Sequence, residues 1–183
     1  MRINARKLSE YPLFLRPFFW NQKRKYGVVL DAALMWARSP KLFSGVAILY
    51  GVLDRKRSPL SPVLRSLVTV LVSQINSCSF CVDLNSAILL KRGVSDAMVQ
   101  SLSNWSESEM FDPAQKAALD YADAVTKYDR GVNDKLFAEL RKYYDDDTII
   151  ELTGLIAFQN LSSKFNSALD VPAQGFCQLP PVS

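Results

Sequence analysis

Val72-Ser73-Gln74-Ile75-Asn76-Ser77-Cys78-Ser79-Phe80-Cys81-Val82-Asp83-Leu84-Asn85-Ser86-Ala87 decides how this chain is read. Upstream of it, Leu64, Leu67, Val68, Leu71, Val72 and Ile75 recur at helical spacing. Ser77 then interrupts, and a second apolar stretch opens with two thiols at i, i+3. With Ser77 read as the N-cap, Cys78 is the first helical residue and Cys81 lies one turn along on the same face. Amides at a helix start have no internal partners, and the helix dipole there favours negative charge. Both effects lower a thiol pKa, and the thiolate is the reactive form. A pair so spaced also closes a disulfide without unwinding its helix, which suits a redox cycle. The bland alternative is two buried, inert thiols. A closed zinc site would want four Cys/His ligands, and only Cys177 remains as a third because the chain has no histidine.

Working outward, the 3.6-residue period dominates and strand alternation is almost absent, which predicts an all-α fold. Expected helices cover about 26–38, 41–54, 61–76 and 78–92, the last closed by Gly93. Ser61-Pro62 is a strong start signal for the third. A short helix follows Ser95, and others start at Asp112-Pro113 and Asn133. A final one covers about 146–167, opened by Asp145-Asp146-Asp147. Those three aspartates read as a helix-start cluster and not a metal site. Residues 1–25 read as an irregular basic and aromatic arm, 26–172 as the helical domain, and 173–183 as a proline-containing tail. Trp36, Phe43, Tyr50 and Trp105 fall at helical spacing and read as core.

At 183 residues, 49% hydrophobic and 22% charged, the chain suits one soluble globular domain. Three cysteines are too few for a disulfide scaffold. The longest uncharged apolar run, Leu42 to Leu53, is too short to cross a bilayer, and no signal peptide is visible. The expected location is the cytoplasm. The net charge of +4 hides an asymmetry: residues 1–65 carry +10 and the rest −6. Charge complementarity predicts that the basic third packs on acidic surface, within the subunit or across a homo-oligomer interface. An acidic partner or an anionic membrane surface, met by Arg16-Pro17-Phe18-Phe19-Trp20 and Lys23-Arg24-Lys25, is the sharper reading. No nucleic-acid-binding motif accompanies the charge.

The cysteine segment, extended by Lys91-Arg92-Gly93-Val94-Ser95-Asp96, resembles the core motif of the AhpD-like / carboxymuconolactone decarboxylase superfamily. Ala117 to Thr126, Ile150 to Asn160 and Phe165-Asn166 support the resemblance. It implies an all-helical AhpD-like fold, helical subunits in oligomers, and thiol-dependent peroxidase activity in the alkylhydroperoxidase members. By that resemblance Cys81 attacks the peroxide and Cys78 resolves the sulfenic acid as a disulfide. The reductant would be a dithiol on a lipoylated adaptor protein. No metal or organic cofactor is implied.

Two positions depart from the family pattern. Asn85 stands where a His is expected one turn after Cys81, and Ser66 stands where a Glu is expected twelve residues before Cys78. Amide and hydroxyl groups hydrogen-bond a water but exchange no proton near neutrality. General acid–base assistance is worth about 10²–10⁴-fold, so slow turnover is expected. The decarboxylase branch fits less well, since it needs an acid/base group this chain lacks and does not need paired thiols. Two functional readings follow. One is a thiol peroxidase or disulfide oxidoreductase, with Asn85 and Ser66 holding a water near Cys78 and Cys81. The other is a non-catalytic or redox-sensing protein whose basic arm serves assembly or partner binding. Cys177 reads as a tail thiol packed beside Phe176, or as an extra resolving thiol. Asn160 and Asn166 could face the cysteine pocket or be solvated caps.

Overall fold

The computed structural model describes residues 1–178, and among these nine α-helices and no strand occur. The segment expected to be an irregular arm is partly helical. Two short 3-10 turns, Leu8–Glu10 and Leu13–Leu15, lead into α1, Arg16–Tyr26. Pro17 sits in the first turn of α1, where its missing N–H would have had no partner anyway. Gly27, with φ of +79°, ends that helix in the left-handed conformation. This stop explains why α2 runs only over Asp31–Ala37 and not from residue 26.

Helix α3, Pro40–Leu53, precedes the central helix α4, Pro62–Ile75, whose start is capped by Ser61 Oγ accepting from Leu64 N–H. Leu67, Val68, Val70 and Val72 of α4 are wholly buried, so this helix is apolar nearly all round. A helix of that kind needs neighbours on every side. It packs on α5 (Ser79–Lys91), α7 (Pro113–Thr126) and α9 (Asp146–Ala168). Between these lie the short α6, Asp96–Gln100, and α8, Asp134–Leu140. Asp112 and Gln115 form a reciprocal capping box on α7, and Asp145 caps α9 through Thr148 N–H. Truncating Leu67 to Ala would cost about 2–5 kcal/mol.

A second, smaller core joins the chain's ends to the cysteine helix. Tyr11, Leu15 and Phe19 are buried with Trp36, Phe43, Phe80, Val171 and both paired cysteines. Tyr11 Oη donates to Leu34 O at 3.0 Å, and Arg2 N–H donates to Leu169 O at 2.8 Å. The basic third finds few acids nearby. Among the described residues its basic groups pair as the N-terminal amine with Asp170, Arg55 with Glu151, and Arg65 with Asp54. Arg24 and Lys25 instead lie over the rings of Trp20 and Tyr26.

Candidate active site

The turn between α4 and α5 places the thiols. Ser77 adopts φ of +51°, Ser77 N–H donates to Gln74 O, and Cys78 N–H donates to Ser73 O, both at 3.0 Å. This pair of bonds is a Schellman closure with Ser77 in the left-handed position. Ser77 therefore closes α4 and does not cap α5. The N-cap of α5 is Cys78 itself, whose Sγ accepts from Cys81 N–H at 3.2 Å. Local geometry favours this choice, because an N-cap takes extended backbone, as Cys78 does at φ of −94° and ψ of 92°, and left-handed Ser77 does not.

Cys78 and Cys81 are joined as a disulfide with Cα atoms 5.2 Å apart. They are 1% and 3% exposed, so neither sits on open surface. Each nonetheless lines a cavity, and the two cavities lie on different faces of α5. Cys81 lines one of about 250 Å³, walled by Trp36, Phe43, Tyr26, Phe80, Phe158 and Ile88. Trp36 is held in that wall by stacking on Phe165, with ring centroids 3.5 Å apart. Cys78 lines a more open space of about 620 Å³ together with Cys177.

Asn166, from the end of α9, donates its Nδ2 to Cys81 Sγ at 3.4 Å and is 1% exposed. Asn160 serves a different purpose: it accepts from Asn76 Nδ2 at 2.9 Å and donates to Thr126 Oγ1 at 3.0 Å, tying α4, α7 and α9 together. Asn85 shares the cavity with Cys81 and donates to Ser73 Oγ at 3.3 Å. Gln159 Nε2 donates to the same oxygen at 2.9 Å, and Ser73 Oγ in turn donates to Thr69 O at 2.5 Å.

Ser66 is placed elsewhere. It is buried on α4 and accepts from Arg92 Nη1 at 2.8 Å, beside Asp54, which pairs with both Arg92 and Arg65. Asn85 and Ser66 meet only at a narrow second recess of about 40 Å³ that Cys81 does not line. Asp83 points away from Cys81's cavity. Its carboxylate accepts from Gln174 N–H at 2.8 Å and Cys177 N–H at 2.7 Å, clasping the tail across α5. Gln174 then accepts from Asp31 N–H, and Phe176 packs near Tyr26.

Trp36 and Phe43 are buried as expected and also line the Cys81 cavity, whereas Tyr50 is 45% exposed and is not core. Asp145 caps a helix, its carboxyl held below the usual range by the hydrogen bond from Thr148. No group of three metal-ligating side chains occurs among the described residues. The sequence reading passed over Gln159 and Ser73. Nothing in their local spacing marks them, since their meeting depends on α4 and α9 being packed 86 residues apart in sequence.

Comparison with known proteins agrees with this architecture. Residues 40–124 match the carboxymuconolactone decarboxylase family. YnjA of Escherichia coli K12 is 43% identical over 173 residues, covering 94% of this chain and 95% of YnjA. A peroxidase-related protein from Ralstonia eutropha JMP134 with an alkylhydroperoxidase AhpD core superposes with a TM-score of 0.86 at 25% identity, covering 96% of this chain and 93% of that one. A cysteine variant of the debrominase Bmp8, in complex with 2,3,4-tribromopyrrole, superposes with a TM-score of 0.83 at 21% identity, covering 96% and 93%. No helix among the described residues is long and apolar enough to cross a membrane. With its all-helical fold and its Cys78–Cys81 pair at the head of α5, this chain belongs to the AhpD-like / carboxymuconolactone decarboxylase superfamily.

Proposed function

We propose that this protein is a thiol-dependent oxidoreductase that reduces an organic hydroperoxide through Cys81 and restores itself through Cys78. The observation that carries the reading is the position of Cys81 Sγ. It is within bonding reach of Cys78, held by the Asn166 amide, and set in the wall of an aromatic cavity.

The reduced Cys81 thiolate attacks the terminal peroxide oxygen. An S–O bond forms, the O–O bond breaks, and the departing alkoxide takes a proton from water. Cys78, whose thiolate is favoured by the Cys81 amide at the helix start, then attacks the sulfenic sulfur. The S–O bond breaks, hydroxide leaves and is protonated, and the disulfide forms. Two thiols lose two electrons and the peroxide gains them. A dithiol protein returns the electrons by attacking Cys78 Sγ from the more open face shared with Cys177. No imidazole assists either proton transfer, so turnover is slow by about 10²–10⁴-fold relative to a relay-equipped site. Peroxide consumption with a dithiol reductant tests the proposal. Cys81→Ser and Cys78→Ser should each abolish turnover, and unchanged rates in both would end it.

The aromatic wall favours a second reading, halogen removal from an aromatic ring, the kind of activity that the name debrominase gives Bmp8. Cys81 sulfur would take the bromine while the C–Br pair stays on carbon and captures a proton. Cys78 would then displace bromide and close the same disulfide. Bromide release from a brominated aromatic in the presence of dithiol separates this reading from the first. For assembly, Ile48, Leu49 and Val52 expose one apolar face of α3, which is the surface we assign to a second copy of the chain.

A further inference from the structure

The cavity wall beside Cys81 is mostly apolar, and three of the side-chain amides on it, Asn85, Gln159 and Asn166, turn their nitrogens toward protein acceptors. Ser73 Oγ uses its one proton on Thr69 O, so towards Asn85 and Gln159 it can only accept. That requirement fixes both amides with nitrogen toward Ser73 and leaves their oxygens free on the cavity wall. Gln159 is 6% exposed, and its Oε1 accepts no hydrogen bond among the described residues. Asn166 repeats the pattern. Its nitrogen goes to Cys81 Sγ, and its Oδ1 is enclosed without a partner.

An acceptor without a protein partner on a cavity wall favours a ligand that supplies a donor. The carbonyl oxygens that face the ligand oppose an anion, and the one charged lining residue, Lys25, a cation that would favour one, has its ammonium over the Tyr26 ring at 5.0 Å. Size gives a further limit. An apolar cavity on the order of 150 Å³ accepts a benzene ring, and this one measures about 250 Å³. We infer that the Cys81 cavity selects an uncharged, single-ring aromatic molecule carrying an O–H or N–H donor, received by Gln159 Oε1 and Asn85 Oδ1.

The inference rests on the assignment of Cys81 as the substrate-facing thiol and names the substrate class: an aryl-bearing hydroperoxide fits, whereas hydrogen peroxide and linear fatty-acid peroxides do not. The test is binding, measured by calorimetry on the oxidised wild-type protein, so that no turnover is needed. Phenol is the probe, anisole the same ring without a donor, and benzoate the anionic counterpart. Phenol should bind about tenfold more tightly than anisole, the effect of one to two neutral hydrogen bonds, and benzoate should bind more weakly than either. Gln159→Leu should bring the phenol-to-anisole ratio close to one. Asn85→Leu, at a half-buried and more tolerant position, should lower it in the same direction. Equal affinity for phenol and anisole, preference for benzoate, or no phenol binding at millimolar concentration would overturn the inference. A failed peroxide assay would leave this ratio untouched, so the two claims fall separately.

Discussion

Asn166→Leu in a Cys78→Ser background isolates the hydrogen bond that the fold supplies to Cys81. Leucine has the same branched, four-heavy-atom side chain as asparagine, so the change removes a donor without opening a hole. In the wild-type chain Nδ2 lies 3.4 Å from Cys81 Sγ, inside a region where Asn166 is 99% buried and water cannot replace it. A hydrogen bond to a charged group is worth about 1.5–3 kcal/mol. At about 1.4 kcal/mol per pKa unit, its loss should raise the Cys81 pKa by about 1–2 units. The thiolate fraction at pH 7 then falls by about 10–100-fold, and alkylation slows in proportion. The assay is iodoacetamide labelling of reduced protein across pH 5–10, read by mass spectrometry, with Cys177 as the internal reference. Removing Cys78 avoids the coupled titration of two neighbouring thiols. A shift below about 0.3 unit, set against the 1–2 units expected from the hydrogen bond, would refute the claim that Asn166 stabilises the reactive form. An equal shift at Cys177 would refute it too.

Four further outcomes follow from the same geometry. Asn85→His puts an imidazole one turn from Cys81 on the cavity wall, and peroxide turnover should rise by about 10²-fold, the low end of acid–base assistance because Ser66 supplies no carboxylate. Its pH profile should acquire a limb near 6.5 that the wild type lacks. Glu151 is held below its ordinary value of 4.5 by the paired Arg55 guanidinium, so its stabilisation is present above that pH and is lost as pH falls through the lower folded value. Glu151→Gln should lower the unfolding free energy from urea titration at pH 7 by no more than about 1 kcal/mol, with the gap to wild type closing below about pH 4. Asp83→Ala frees the N–H groups of Gln174 and Cys177, and limited proteolysis should then cut within 172–178 at least tenfold faster while the helical circular dichroism is unchanged. Ile48→Glu places a charge on the apolar face of α3, and light scattering should report a smaller assembly.

Much of the fold was legible because its signals are local. Ser61-Pro62, Asp112 with Gln115, Asn133 and Asp145 each satisfy amides within three residues of themselves, so the chain segment alone specifies the start. The N-terminal segment misled for an equally local reason. Pro12 and Pro17 look like breakers, yet Pro17 occupies a helix's first turn, and the segment is held by long-range burial of Tyr11, Leu15 and Phe19. Ser77 misled because a serine before an apolar helix reads as an N-cap, while the tight α4–α5 turn needs that residue left-handed.

The amino-acid sequence by itself determined the class of the protein: an all-helical chain with two thiols one turn apart and no histidine to serve them. Spacing along the chain depends only on neighbours, so it put the two thiols within reach of each other, while inert thiols stayed open until the structure joined Cys78 to Cys81. Only the tertiary structure decided which side of the pair faces an aromatic cavity, that Ser66 belongs to Arg92 rather than to the thiols, and that Asn166 reaches Cys81. Cys81 and Asn166 are 85 residues apart, and Ser73 and Gln159 are 86 apart. Such meetings are set by how α4, α5 and α9 pack, because side-chain reach is a few ångströms and no local pattern specifies which helix will stand opposite.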